Sequence, residues 1–266
     1  TLGSVALLVG LGAMIGRLAE TSGGAKTLAD ALVKLFGENK APLALGVASL
    51  IMGFPIFFDA GLMVMLPVIF AVAKRLDGPV LAYGIPAAGA FSVMHVFVPP
   101  HPGPVAAGEF FSADIGLILI FGLLVALPTW YLSGYRFGLH LGKKYPFRLE
   151  EAVTGALVSD AELPDRPASA ASVISVLLIP MVLIFGNTGL TTLGTAGVVD
   201  PSATWVRFFI FLGQTPIALL ITTLVAMAVL GLRRGEGKSA IEKTVESSLG
   251  PICSVILITG AGGMFG

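Results

Sequence analysis

Long runs without a charged residue constrain the fold of this chain more than any other feature of its sequence. Hydrophobic residues make up 55% of its 266 residues and charged residues only 12%, far from the composition of a soluble domain. A helix needs about 20 apolar residues to cross a bilayer. The uncharged runs cover residues 1–16, 41–58, 60–73, 78–108, 115–135, 167–199, 208–232 and 247–266. The sequence therefore predicts an all-α polytopic membrane protein rather than a soluble protein with buried helices.

The positions of the basic residues predict the orientation of the spans. Lys and Arg cluster at 17–40, 74–75, 136–166 and 233–243, whereas residues 107–113 and 191–204 contain neither. If the first span runs inward, every basic cluster lies on the cytoplasmic side, as the positive-inside rule requires. Only Arg207 disagrees. We therefore expect a multi-pass protein of the cell (inner) membrane in contact with the lipid bilayer. The formal net charge of zero gives no reason to expect a nucleic-acid partner.

Residues 41–76 are expected to form a hairpin that enters and leaves on the cytoplasmic face. Its arms meet in the segment GFPIFFDAG at 53–61, where Pro and Gly interrupt the helix and Asp59 is the only charge. Two full spans would give the same orientation of the neighbouring spans. The short arms favour a re-entrant hairpin.

The segment HVFVPPHPGP at 95–104 places four prolines and two histidines inside an uncharged run. Each proline lacks an N–H and excludes the carbonyl four residues earlier from helical hydrogen bonding. Inside a bilayer, such backbone survives only where protein buries it or a wet cavity bathes it. We therefore expect an interrupted helix over 80–108, with a binding site at the interruption, and a further span over 115–137.

Two smaller patterns predict local structure. Residues 27–36 place Leu28, Leu32, Leu35 and Phe36 on one helical face, which predicts an amphipathic helix on the cytoplasmic surface. Asn187 and Gln214 lie within apolar runs and are expected to cross-link helices through hydrogen bonds.

An internal repeat predicts how the chain is divided. LLVGLGAMIG at 7–16 aligns with LITGAGGMFG at 257–266, and the two copies run in opposite directions in the predicted topology. The expected organisation is a first repeat over 1–142, a cytoplasmic loop over 143–168, and the start of an incomplete second repeat over 169–266. Inverted repeats with broken helices are typical of secondary transporters.

With GLGAMIGR at 10–17 and SGGA at 22–25, the hairpin and proline motifs resemble the gluconate:proton symporter family, also called gluconate permeases. The resemblance extends over essentially the whole chain, and VPPHPGP at 98–104 is its most specific part. It implies an ion-transporter-type carrier, in which a scaffold, two re-entrant hairpins and two interrupted helices surround a central site. It also implies proton-coupled symport of gluconate or a related sugar acid, a homodimer joined through scaffold helices, and no cofactor. Because the chain stops as the second repeat begins, we expect an excised part of a longer protein that holds about half of the site.

The resemblance places the substrate-binding residues at the hairpin tip and at the interruption. They are Pro55, Phe57, Phe58, Asp59, Ala60, Gly61, Pro99, Pro100, His101, Pro102 and Gly103. Residues 41–73 and 76–135 contain no Lys or Arg. The charge of a bound carboxylate must then be met by helix N-terminal amides, by a protonated histidine, or by groups outside this chain. The helical arm starting at residue 60 and the helix resuming near residue 105 are the expected N-termini.

Asp59 and His101 are the expected proton-coupling residues. A carboxylate within the membrane is costly and usually functional, so Asp59 is interpreted as a proton carrier or a hydroxyl ligand, with a helix N-cap as the alternative. His101 is interpreted as a carboxylate ligand or a proton carrier, with hydrogen bonds to the freed carbonyls as the alternative. His95 is expected to bond local backbone. No metal site is expected, because the two histidines lack a third ligand.

Three alternatives to gluconate symport stay open at this point. The same framework could carry another small carboxylate, such as glycerate, a hydroxy acid or an amino acid. An intramembrane hydrolase could use Asp59 and the histidines, although the sequence lacks a Gly-x-Gly-Asp pair, a His-Glu-x-x-His helix and a Ser-His arrangement. A channel could use the polar interruption, but it would not explain discontinuous elements in oppositely directed repeats.

Overall fold

A computed structural model of the chain describes residues 2–148, 164, 166–250, 253 and 257. The described residues form helices and connecting segments without a strand, which confirms the all-α prediction. The α-helices are α1 (Leu2–Thr21), α2 (Gly24–Phe36), α3 (Ala41–Met52), α4 (Phe58–Arg75), α5 (Val80–Phe97), α6 (Pro102–Phe110), α7 (Ile115–Thr129), α8 (Phe137–Lys144), α9 (Ala170–Thr195), α10 (Thr204–Leu212), α11 (Thr215–Ala226) and α12 (Lys238–Ser247). A π-helical turn over Trp130–Arg136 joins α7 to α8, and a second one over Met227–Gly231 extends α11.

Four helical stretches among the described residues are long and apolar enough to cross a membrane. They are Val80–Phe110, Ile115–Lys144, Ala170–Thr195 and Thr215–Arg234. The chain is therefore a multi-pass membrane protein. By contrast, α3 has 12 residues and is about 18 Å long, well short of a hydrocarbon core of about 30 Å. The re-entrant path of the hairpin formed by α3 and α4 stays a prediction.

The helix α5 lies at the centre of the bundle, because it packs against α3 and α4 on one side and against α7 and α8 on the other. The ring of Phe91 in α5 is fully buried. It lies against the backbones of Gly53 and Gly61, which stand at the two ends of the hairpin tip. A single aromatic side chain of α5 thus supports both arms of the hairpin where they meet.

Small residues bring α5 and the α7–α8 helix into close contact over several turns. A Cβ added to Gly138 would lie 2.6 Å from Cδ of Pro86, and one added to Gly142 would lie 2.7 Å from Cβ of Ala82. The indole N–H of Trp130 donates to the carbonyl oxygen of Pro86 at 2.9 Å. Pro86 cannot donate a hydrogen bond of its own, so the contact depends on its carbonyl and on the absence of side chains opposite it.

The helix α2 is amphipathic, with one face packed against the rest of the protein. Its buried face consists of Ala25, Leu28, Ala29 and Val33, which pack into the main hydrophobic core. Leu35, assigned to the apolar face from the sequence, is 72% exposed. The buried face that fits a 3.6-residue period includes Ala25 and Ala29 rather than Leu35. The location of α2 at the cytoplasmic surface stays a prediction.

Residues around the predicted loop tie the helices together on one side of the bundle. The N–H of Ala168 donates to the carbonyl oxygen of Ser22 at 2.9 Å, and Thr27 Oγ1 donates to the carbonyl oxygen of Ala168 at 2.8 Å. The rest of the expected 143–168 loop falls mainly outside the described residues. So does most of the second repeat copy at 257–266, and the inverted repeat and its boundaries remain predictions.

A side-chain hydrogen bond from α9 satisfies a backbone carbonyl oxygen that is left without a helical partner between α10 and α11. The N–H of Gln214 bonds to the carbonyl of Phe211 rather than to that of Ile210, which frees the Ile210 oxygen. The side-chain amide of Asn187 in α9 donates to that oxygen at 2.6 Å. The prediction that Asn187 cross-links helices is confirmed. The Gln214 side chain is exposed and makes no comparable bond among the described residues.

Candidate functional site

The hairpin tip and the helix interruption lie side by side against a glycine-lined face of α1. A Cβ added to Gly12 would lie 3.2 Å from Cγ of Pro100, and one added to Gly16 would lie 2.8 Å from Cγ1 of Ile56. Because glycine has no side chain, both loops approach the α1 backbone closely. This packing brings together two segments that are separated by about forty residues in the sequence.

The interruption occupies only four residues. Val98 leaves the helix with φ −117° and ψ 121°, a cis peptide bond joins Pro99 to Pro100, and α6 begins at Pro102. The helix therefore resumes three residues earlier than residue 105, where the sequence placed it. Proline is tolerated in the first turn of a helix because the N–H groups there have no partner within the helix.

His101 is the side chain that joins the interruption to the hairpin tip. It is 1% exposed, and its Nε2 lies 2.8 Å from the carbonyl oxygen of Gly53. A carbonyl oxygen only accepts, so Nε2 carries the hydrogen and donates it. His101 thus bonds a carbonyl at the end of α3, not the carbonyls freed by its own prolines. Its Nδ1 is buried and has no hydrogen-bond partner among the described residues.

Two further rings surround His101. The ring centroid of His95 lies 4.7 Å from that of His101, and the ring of Phe57 lies 5.9 Å from His101 and 5.8 Å from His95. The Nδ1 of His95 is also buried without a partner, so this nitrogen does not make the expected bond to local backbone. The sequence reasoning missed His95 as a member of the cluster. The signal available to it was the interruption itself, which turns the chain so that residues six apart meet.

Asp59 lies at the start of α4 and is exposed. The N-cap position is held by Phe57, so the alternative interpretation of Asp59 as the helix N-cap is wrong. As the second residue of the first turn, Asp59 instead lies among N–H groups that have no helical partner. Because Asp59 is exposed, its carboxylate is accessible from outside the cluster.

The other expected site residues divide into buried and accessible groups. Pro55, Gly61, Pro99 and Pro100 are buried, which fits a role in shaping the tip and the interruption. Phe58 and Pro102 are partly buried, and Gly103 is exposed with no atom within 4 Å of an added Cβ. Ala60 is the third residue of α4. All of these residues lie in the two segments that the structure brings together.

The two helix N-termini at the site differ in what they offer an anion. In α4, Phe58, Asp59 and Ala60 retain first-turn N–H groups, and the N–H of Gly61 makes the first helical bond, to Phe57. In α6, Pro102 and Pro104 occupy the first and third positions and have no N–H. The α4 terminus is therefore the better anion site of the two.

No metal-binding cluster is present in the parts of the chain that the structure describes: no three His, Cys, Asp or Glu side chains there are placed to hold an ion. The chemistry available at the site consists of imidazole rings, one carboxylate and backbone amides. These groups bind protons, hydroxyls and anions.

Comparison with known proteins identifies the family. The model of the GntP family permeases matches residues 1–266. The chain is 36% identical over 270 residues to the high-affinity gluconate transporter of Escherichia coli, covering 100% of this chain and 58% of the relative. It is 34% identical over 265 residues to a gluconate permease of Pseudomonas aeruginosa, covering 99% and 57%. The Gnt-II system L-idonate transporter of Escherichia coli is 32% identical over 267 residues, covering 100% and 58%.

The chain spans less than three fifths of the length of these relatives. No solved structure matches it. This family consists of permeases rather than hydrolases, so the comparisons give no support to the intramembrane hydrolase. Since the family model matches its full length, the chain belongs to the GntP family of permeases.

Proposed function

We propose that this chain forms the first part of a symporter that carries gluconate or a related sugar acid, together with protons, across the inner membrane. Relatives named as gluconate and L-idonate transporters support the substrate class. The observation that carries the proposal is the meeting of two broken helical elements through His101 and Gly53. Broken helices at mid-membrane are where secondary transporters bind their substrates.

The carboxylate of the substrate binds at the N-terminus of α4. The free amides of Phe58, Asp59 and Ala60 point out of that terminus, where the helix dipole favours negative charge. No Lys or Arg from 41–73 or 76–135 competes for this role. The α6 terminus, with two of its first three amides replaced by proline, suits the uncharged hydroxyl end of a sugar acid instead.

Asp59 couples the substrate to a proton. When ionised, its carboxylate occupies the positive end of α4 and repels a second carboxylate placed there. When protonated, it no longer repels the substrate, and its hydroxyl group becomes a hydrogen-bond donor. Proton and sugar acid therefore bind together, which is the requirement for symport.

Counterflow in proteoliposomes tests this function with the full-length protein. Vesicles loaded with unlabelled gluconate should accumulate labelled gluconate, and an imposed proton gradient should drive net uptake. L-Idonate should compete, and glycerate, other hydroxy acids and amino acids should compete weakly. Preferential exchange of one of those compounds would identify a different carboxylate carrier. Uncoupled conductance without exchange would identify a channel and refute the proposal.

A homodimer is part of the same proposal. Apolar side chains on α7 point away from the bundle, with Phe121 and Leu124 each 62% exposed. In a membrane, such a surface contacts lipid or a second scaffold. Disulfide cross-linking of a Leu124→Cys variant, in a Cys253→Ser background, should yield a covalent dimer if the scaffold helices meet there. An exclusively monomeric product would argue against this interface.

A further inference from the structure

His101 satisfies a buried backbone carbonyl that the hairpin leaves open. Gly53 follows the last residue of α3, and its N–H still donates to the carbonyl oxygen of Ser49 at 2.8 Å. No backbone N–H among the described residues donates to the Gly53 oxygen. The Nε2–H of His101 donates to it instead, at 2.8 Å. Because a buried carbonyl without a donor is costly, this bond stabilises the end of α3.

His101 also lies against the start of α4. The connection from α3 to α4 runs from Gly53 to Phe57, which is the N-cap residue of α4. The ring centroid of Phe57 lies 5.9 Å from that of His101, with an interplanar angle of 59°. One buried side chain therefore contacts the residue at which this connection begins and the residue at which it ends. The amides at the start of α4 follow directly after Phe57.

The interruption in turn holds the backbone of His101. Its N–H donates to the carbonyl oxygen of Val98 at 3.3 Å, and its carbonyl oxygen accepts from the N–H of Val105 at 3.2 Å. As the N-cap residue of α6, His101 thus bridges the two sides of the break. Its backbone and side-chain bonds together fix where the imidazole ring lies.

The same contacts favour one neutral form of His101. Because Nε2 carries the hydrogen that the Gly53 oxygen accepts, Nδ1 of the neutral ring is a bare acceptor. A proton added there would create a second N–H, and this nitrogen is buried without a hydrogen-bond partner in the described part of the chain. A buried donor without an acceptor is costly. A buried charge costs still more unless an opposite charge is paired with it.

The surroundings of His101 supply no such paired charge. Its ring neighbours are Phe57 and His95, and α3 contains no titratable residue. The charged residues nearest the site on the other helices are Arg17 and Glu20, which form an ion pair on α1, Asp59 at the exposed start of α4, and the exposed Glu109 near the end of α6. Among the described residues, none of these forms an ion pair or a hydrogen bond with His101.

We propose that His101 is a neutral positioning residue, which holds the connection between α3 and α4 so that the first-turn amides of α4 meet the substrate carboxylate. The imidazole keeps its one hydrogen on Nε2 throughout and carries no proton across the membrane. Proton coupling is then left to Asp59. The positioning role rests on the proposed function, whereas the fixed neutral form of His101 does not.

Nitrogen-15 NMR of labelled histidine in the full-length protein tests the neutral form. The signals of His101 are those that disappear in His101→Gln. We expect one protonated and one bare ring nitrogen, both unchanged from about pH 5 to about pH 8, the range in which a histidine in water changes its charge. Free labelled histidine in the same buffer is the titration reference. Convergence of the two His101 signals to those of an imidazolium in this range would overturn the neutral form.

The kinetics of gluconate counterflow test the positioning role. The amide nitrogen of glutamine extends as far from the backbone as Nε2 of histidine, and that of the shorter asparagine does not, so His101→Gln can still donate to Gly53 and His101→Asn cannot. His101→Asn should raise the KM for gluconate by about tenfold, and His101→Gln should reverse most of that rise. A loss of folded protein alone would lower the maximal rate and leave KM unchanged.

Equal KM values for the glutamine and asparagine variants would overturn the positioning role. If His101→Asn does not fold, proton-driven accumulation in His101→Gln decides between the two roles. Accumulation there supports positioning, because glutamine cannot carry a proton, and its loss with counterflow intact would make His101 the proton carrier and overturn the proposal. If the wild-type protein exchanges no gluconate, the proposed function fails, and the NMR signals still decide the neutral form.

Discussion

Phe91 of α5 packs its ring so closely against the backbone of Gly61 that no side chain fits between them. A Cβ on Gly61 would lie 2.6 Å from Cδ1 and 2.8 Å from Cζ of the ring. The same ring faces Gly53, where an added Cβ would lie 3.0 Å from Cδ1. The shape of the hairpin tip therefore depends on glycine at positions 53 and 61 and on the ring of Phe91.

Gly61→Ala should destabilise the protein by about 1–3 kcal/mol, because a buried ring cannot yield without strain. Thermal unfolding of the purified full-length protein measures the loss. Phe91→Leu, introduced in the Gly61→Ala background, should recover part of it by making room. Gly186→Ala in α9 is the matched control, since no atom lies within 4 Å of its added Cβ. Equal unfolding temperatures for the two alanine variants would contradict this account of the tip.

Asp59→Asn should abolish proton-driven accumulation of gluconate and preserve gluconate exchange. Asparagine at this position never carries a charge, so substrate binding should lose the repulsion that an ionised Asp59 exerts on the substrate carboxylate. Uptake and counterflow in proteoliposomes, measured over a range of pH, separate the two effects. Asp30→Asn, at an exposed position of α2, should behave as wild type. Accumulation by Asp59→Asn at the wild-type level would remove Asp59 from the coupling mechanism.

Asn187→Leu should destabilise the protein by about 1–2 kcal/mol, because it leaves the carbonyl oxygen of Ile210 without its partner inside the bundle. Unfolding by heat or by denaturing detergent measures the effect. Gln214→Ala, which removes an exposed side chain from the same break, should cost much less. A larger loss at Gln214 than at Asn187 would show that the hydrogen bond does not hold α9 against α10.

Asp200, in the connection between α9 and α10, has a pKa below its usual value. The hydroxyl of Ser202 donates to its carboxylate at 2.7 Å, and the Ser202 N–H donates at 2.8 Å; these two bonds lower the pKa of Asp200. A depressed pKa means that the turn is stabilised above the usual Asp pKa and loses this stabilisation as the pH falls through the lowered value. Ser202→Ala should therefore raise the pKa of Asp200 toward its usual value. Carboxyl carbon-13 NMR measures this, and an unchanged pKa would assign the shift to the backbone bond alone.

The sequence predicted the elements of the site better than their contacts. The prolines and glycines of the sequence located both helix breaks correctly. The absence of an N–H in proline, or of a Cβ in glycine, affects the backbone within one turn of helix. The start of α6 was misplaced because prolines in a first turn do not prevent a helix, and four prolines within residues 99–104 suggested a longer break. The alternative that Asp59 caps α4 was wrong because the helix starts at Phe58, one residue before Asp59.

The contacts of the two histidines lay beyond what the sequence could show. The partner of His101 is a carbonyl 48 positions away in the chain, and no local pattern specifies such a distance. His95 was expected to bond local backbone because it precedes the break, yet its neighbours in space are Phe57 and His101. The exposure of Leu35 on α2 was likewise missed. Leucines indicate a buried helical face more strongly than alanines do, so Ala25 and Ala29 were not recognised as part of that face.

The contact of α5 with α7 and α8 has a mechanical consequence. Gly138 lies against the ring of Pro86 and Gly142 against Ala82, so a side chain at either glycine would force these helices apart. The stretch Ile115–Lys144 has 30 residues and is about 45 Å long. Because α5 packs against this stretch at Pro86 and Ala82, we expect a tilt of α5 to move the stretch with it as far as Lys143 and Lys144.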